Sequence, residues 1–216
     1  MSKGEETRQG IIERAAPLFN QRGFHGCSMS EIMKATGLQK GGIYRHFSSK
    51  EELAEAVFHY SVDAAVKSRT EIHTGSDSPL LRLRALIARF VETPSPIPGG
   101  CPLLNGAIDT DDGNEALRAL VRKAFQAWRK RLHAVIQDAI AAKEINDGTD
   151  VAWLVNTVIG TLEGAVMLSR LERSREPLLH AQHTLDLVLN SVAVKTAGAE
   201  SKALQPTSPA RSSRRN

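Results

Sequence analysis

Cysteine is nearly missing from this chain: two in 216 residues, Cys27 and Cys101. Two thiols so far apart build neither a disulfide framework nor a paired zinc motif. Aromatic residues are scarce, while the apolar fraction of 41% is ordinary for a globular chain of one or two cores. No run of about 18 apolar residues occurs, so no transmembrane helix and no membrane partner are expected. The first ten residues, MSKGEETRQG, lack the apolar centre of a signal peptide, and the expected compartment is the cytoplasm. No convincing strand alternation is present, and no glycine-rich loop follows a strand to cradle a phosphate. No nucleophile, base and orienting group stand at a telling spacing, so neither an enzyme nor a cofactor is expected. Excess charge is also missing from the body of the chain. Residues 1–64 carry eight Lys or Arg and eight Asp or Glu, and residues 65–200 carry sixteen of each. The net +4 sits wholly in residues 201–216, so bulk charge says nothing about nucleic acid.

One absence is local and informative. Between Glu31 and Glu51 there is no acid, while Lys34, Lys40, Arg45, His46 and Lys50 all fall there. A surface that faces phosphates needs cations and tolerates few carboxylates. The same stretch reads as a helix over residues 30–36, a stop at Gly37, and a second short helix over residues 40–47. Glycine stops the first helix because it accepts the left-handed conformation that closes a helical turn. Two helices joined by a tight glycine turn form the helix-turn-helix pattern, whose second helix enters the major groove. Gly41 and Gly42 each cost about 1 kcal/mol relative to alanine in a helix, which suggests close backbone approach to DNA. The bland alternative is a solvated basic face on a helical hairpin.

The surrounding residues carry a resemblance. Thr7-Arg8-x-x-Ile11-Ile12-x-x-Ala15-x-x-Leu18-Phe19-x-x-x-Gly23-Phe24, then Ser28-x-x-Glu31-Ile32-x-x-Ala35-x-Gly37, then Lys40-Gly41-x-Ile43-Tyr44-x-His46-Phe47-x-x-Lys50-x-x-Leu53 lie at fixed spacing. Over residues 7–62 this is similar to the N-terminal domain of the TetR family of transcriptional regulators. The resemblance implies three small DNA-binding helices, a linking fourth helix, and a larger helical domain that binds an effector and dimerises. It implies that Ser28, Gln39, Lys40, Gly41, Gly42, Tyr44, Arg45, His46 and Lys50 face DNA. Gln39 and Lys40 are expected at base edges, and Ser28, Tyr44, His46 and Lys50 at phosphates. Arg45 departs from the aromatic or small polar residue often found there. A dimer would set two recognition helices about 34–36 Å apart or somewhat more on a palindrome. The expected function is a ligand- or redox-responsive repressor, with a helical small-molecule binder lacking specific DNA contact as the alternative.

The rest of the chain is helical in period, giving an all-α fold of about nine helices. The expected units are residues 5–65 for DNA, 66–197 for effector and dimer, and 198–216 as a disordered basic tail. The first helix should run over residues 5–22 with a kink at Pro17, which lacks one backbone donor. Ser49 with Glu52 reads as a capping box for the fourth helix. A break at residues 74–79 precedes helices over 79–92, 102–108, 115–143, 150–173 and 177–197. The helix over 150–173 is apolar on most sides and carries Gly160-x-x-x-Gly164, which points to a dimer contact that Val158→Asp should dissociate. The acidic stretch 109–115 lacks calcium-loop spacing and reads as a helix cap by Asp112 or Asn114. His180 and His183 share a helix face without a third ligand in sequence, so no metal is expected. Phe90, Cys101, Leu104, Asn105, Phe125, Trp128, Trp153, Thr157 and Thr161 are candidate effector contacts or plain core. Cys101 has two readings. A thiol at a helix start can be a reactive thiolate, and Gly100-Cys101-x-x-x-Asn105 resembles an element of a TetR subgroup, some of whose members sense electrophiles or oxidants; equally, it can be small buried packing.

Overall fold

In the computed structural model, residues 2–70, 77–110 and 114–195 are described, and they form nine α-helices without a strand. The expected break at 74–79, Asp112 and the tail at 198–216 fall wholly or partly outside them. The order is α1 (Lys3–Gly26), α2 (Met29–Thr36), α3 (Lys40–Tyr44), α4 (Lys50–Thr70), α5 (Pro79–Glu92), α6 (Pro102–Thr110), α7 (Glu115–Ala141), α8 (Val151–Glu172) and α9 (Glu176–Val192).

Local chemistry sets most of the boundaries. Ser2 with Glu5 and Ser28 with Glu31 make reciprocal capping boxes on α1 and α2. Ser78, Asn114 and Asp150 accept backbone N–H groups at the starts of α5, α7 and α8. Two expectations need correction. The backbone stays helical through Pro17, and the break in α1 is at Gly23, with φ +73°. A Cβ at Gly23 would run into the Asp109 carboxylate, which accepts the Phe24 N–H at 2.6 Å. The long helix therefore bends where a distant acid takes over its backbone donor, not where proline removes one. At α4, Ser49 does accept the Glu52 N–H at 3.1 Å, but the Glu52 carboxylate reaches back to the N–H and hydroxyl of Ser48 instead.

Two clusters of buried side chains organise the helices. The N-terminal one holds Ile11, Ile12, Ala15, Ile32, Ile43, Phe47, Leu53 and Val57. Ile97, from the loop after α5, is buried in the same cluster and ties the later helices to it. The second cluster joins α5, α7, α8 and α9 through Leu83, Ile87, Ile136, Leu154, Val158, Leu162, Leu185 and Leu189. Ile145 pairs with Ala193 in an isolated antiparallel bridge that fastens the α7–α8 turn to the end of α9.

Helix α8 is long and apolar enough, by length and composition, to cross a membrane. One side of it belongs to the second cluster. The opposite side leaves Trp153, Gly160, Met167 and Leu171 exposed at spacings of seven, seven and four, one helical stripe. Val158 lies on the inner side at 1% exposure, so it is protomer core and not the outer contact the sequence suggested.

Candidate nucleic-acid interface and internal cavity

The turn between α2 and α3 is built from the backbone outward. Gly37 closes α2 in the left-handed conformation, its N–H donating to Met33 O at 2.9 Å. Arg14 of α1 donates to Thr36 O at 2.8 Å, so the last turn of α2 is held from outside. Helix α3 is shorter than expected: it spans Lys40–Tyr44, and Arg45 and His46 form a turn. Two side chains anchor it. Ile43 and Phe47 are each 1% exposed in the N-terminal cluster. With those two turned inward, Gln39, Lys40, Gly41, Tyr44 and Arg45 are exposed together, and His46 and Gly42 are half-buried. Gln39 makes no side-chain capping bond, and a Cβ at Gly41 would meet nothing within 4 Å. Gly42 faces Leu38. The Lys40 ammonium lies 5.8 Å from the Tyr44 ring centroid.

Two expected phosphate contacts are engaged elsewhere. The hydroxyl and N–H of Ser28 both donate to the Glu31 carboxylate, which also pairs with Arg22. Lys50 donates to Phe24 O at 2.5 Å and sits over the Phe24 ring at 4.3 Å. It fastens the start of α4 to the end of α1, where the carbonyl belongs to the last helical turn and has no partner further along the helix.

A second feature lies among α4, α5, α6, α7 and α8: a cavity of about 420 Å³. Its wall is mostly apolar, including Val62, Leu86, Ile87, Phe90, Leu103, Trp128, Val135 and Leu162, with Arg69, Arg82, Arg131 and Asp138 as its charged groups. Phe90 and Trp128 stack with planes 5° apart and centroids at 6.0 Å. Of the candidate effector contacts, Phe90, Cys101 and Trp128 line the cavity. Leu104, Asn105, Phe125, Trp153, Thr157 and Thr161 do not. Phe125 packs edge-on against Trp128. Trp153 is 48% exposed on the outer stripe of α8, and the Thr157 hydroxyl donates to its carbonyl. For α8 the reason is helical phase: Val158 and Leu162 take the cavity side, which turns positions 153 and 157 away and leaves 161 at its flank.

Cys101 is 3% exposed, and its thiol is pushed up to about 12. Burial is the main cause and the Glu163 carboxyl the next, against a smaller opposing effect of the Leu104 N–H. The field of the helix start does not overcome this, so an exposed thiolate is ruled out in this conformation. Glu163 itself is 9% exposed, and apart from the Cys101 thiol beside it neither oxygen has a hydrogen-bond partner. Burial raises its pKa, while Cys101 and Arg69 pull it the other way.

The Gly-Cys-x-x-x-Asn stretch gains a geometric meaning. Asn105 Nδ2 is shared among Asn20 O at 2.8 Å, Gly99 O at 2.9 Å and Asn20 Oδ1 at 3.0 Å. Asn20 Nδ2 reaches Pro98 O and Gly100 O at 3.0 and 3.1 Å. A Cβ at Gly99 would come within 2.8 Å of Asn20 O, and one at Gly100 within 2.7 Å of Arg170 Cδ. The glycines thus let α1, α6 and α8 meet at one seam.

Sequence reasoning missed Arg69 and Glu163. Each left a signal. Arg69 continues the stripe Val62, Ala65, Val66 of α4 at helical spacing, and Glu163 interrupts a long apolar helix.

Comparison with known proteins agrees with this architecture. A family model described as "Bacterial regulatory proteins, tetR family" matches residues 11–57, and one described as "Tetracyclin repressor-like, C-terminal domain" matches residues 79–185. A crystal structure of a TetR transcriptional regulator from Chloroflexus aurantiacus J-10-FL is 41% identical, with a TM-score of 0.84, covering 89% of this chain and 98% of that one. A TetR-family regulator from Cytophaga hutchinsonii is 32% identical, with a TM-score of 0.78, covering 91% and 99%. The HTH-type transcriptional repressor DhaR of Mycobacterium sp. (strain GP1) is 27% identical over 175 residues, or 79% of this chain and 86% of that protein.

Proposed function

The chain belongs to the TetR family of bacterial transcriptional regulators, and from that premise we propose that it is a homodimeric, cytoplasmic repressor that leaves a palindromic operator when a small molecule fills the cavity. The observation that carries the reading is the acid-free surface of Gln39, Lys40, Gly41, Tyr44 and Arg45, presented by a helix anchored on Ile43 and Phe47. Residues 5–65 serve as the operator-binding unit and residues 66–197 as the effector and dimerisation unit. Repression, rather than activation, is supported by the likeness to DhaR.

Dimerisation is supported by the outer faces of α8 and α9. Met167, Leu171, Leu179 and Leu187 are 53–79% exposed there. Gly160 and Gly164 offer room for a second helix, since a Cβ at either would meet nothing within 4 Å. An apolar face of this extent is more than soluble monomers usually leave open.

The test is selection of DNA by the purified protein, followed by gel-shift titration on the enriched sequence. Lys40→Ala is expected to remove about 1–3 kcal/mol of discrimination between that sequence and a scrambled one. Absence of an enriched sequence, or unchanged affinity in the variant, would overturn the assignment.

A further inference from the structure

Among the described residues, the cavity wall has one buried side-chain polar atom without a hydrogen-bond partner. Arg69 Nε is buried without a hydrogen-bond partner. Its guanidinium carbon lies over the Phe90 ring, 4.0 Å from the ring centroid, and Arg69 lines the cavity. Among the described residues Arg69 forms no ion pair. Arg82, by contrast, is already paired with Asp138 at 2.8 Å. With Arg131 the lining holds three cations and one acid.

A buried donor without an acceptor is costly, and a charged one more so. An edge of two guanidinium N–H groups matches the two oxygens of a carboxylate, as a point charge does not. An amide or alcohol could accept a single bond but would leave the charge unmatched. Glu163, the acid whose field reaches Arg69, makes no hydrogen bond or ion pair with it, and burial favours its neutral form, so it does not take that place.

We infer that the cavity takes small organic carboxylates, the apolar body lying against Phe90 and Trp128 and the carboxylate seated on the edge of Arg69. This rests on the reading of the cavity as the effector site.

Calorimetric titration of the full chain with 3-phenylpropanoate and octanoate, each beside the primary amide and the alcohol of the same skeleton, tests it. At least one carboxylate should bind tenfold or more tightly than its neutral partners. Arg69→Gln should erase that preference, Arg69→Lys should keep part of it, and Arg84→Gln, outside the cavity, should leave it in place. Equal binding of carboxylate and amide, binding of no carboxylate in the set, or a preference that survives Arg69→Gln would overturn the inference. The matched skeletons on the native protein decide it even if the Arg69 variants do not fold. Gel shifts run in parallel separate the two claims: a carboxylate that binds through Arg69 without changing affinity for selected DNA would sink the effector reading and leave the ligand class standing.

Discussion

At the residue scale, Glu163 gives the molecule a pH dependence of definite sign. Its pKa is raised in the folded protein, so the native state holds a proton that the unfolded chain has already lost. Stability from this group is full below the ordinary carboxylate range and declines as pH rises through the raised folded value. Glu163→Gln should remove that decline. Urea unfolding is expected to find native and variant alike near pH 4, and the variant more stable by about 1–3 kcal/mol near pH 8. Parallel curves across that range would show that the carboxyl is ionised and satisfied after all. Cys101, beside it, gives a second expectation. With the thiol at about 12, roughly one molecule in 100,000 carries the thiolate at pH 7. Iodoacetamide should therefore label Cys101 in unfolded protein and leave it unmodified, by mass spectrometry, in native protein over the same time. Operator release should be unchanged in Cys101→Ser. Rapid native labelling would restore the sensor reading.

At the element scale, the two sides of α8 predict opposite outcomes for the same chemistry. Leu171→Glu, at a position 79% exposed in the protomer, should give a folded monomer in sedimentation and an unchanged helical spectrum. Val158→Asp, at 1%, should unfold the protomer, because an unpaired charge enters the cluster with Leu83 and Leu185. A Leu171→Glu protein that stays dimeric would move the contact elsewhere. Helix α5 was legible to the residue, since Ser78 and Pro79 state its start chemically and Thr93 opens a proline-rich loop. The apolar character of α8 was legible too. Which of its sides faces the protomer was not, because an apolar residue carries no mark distinguishing core from contact. The turn at Arg45 escaped for a related reason. His46 and Phe47 continue a helical pattern in sequence, while burial of Phe47 beneath Arg8 decides the local geometry. Arg69 was hidden by composition: one arginine among many reads as solvated until the fold folds a ring over it.

At the scale of the whole molecule, the seam between α1 and α6 joins a helix of the cavity wall to the helix on which α2 and α3 pack, and the proposed function would use it as a mechanical link. Cys101, Pro102 and Leu103 line the cavity, and Asn105, one turn further along α6, holds Asn20 of α1. Asn105→Ala should leave binding of selected DNA and of a cavity ligand each nearly intact, and cut their mutual effect. The measurement is the ratio of operator affinities with and without saturating ligand. Coupled sites commonly show ratios of about 5–150-fold, and the variant's should fall toward one. A ratio as large as the native one would place the coupling in another contact, α4 being the next candidate.

The reach of that seam along the chain has a consequence for synthesis. Asn20 and Phe24 wait for partners 78 to 85 residues downstream. At about 5–20 residues per second, roughly 4–17 s separate the emergence of the two sides from the ribosome. During that interval α2 and α3 can already pack on Ile11 and Ile12, because their contacts are local, while the exit of α1 has no acceptors for its freed donors. A nascent chain halted before α6 would carry a complete recognition surface on a loosely oriented base, and proteases added to such stalled chains should cut first around Gly23.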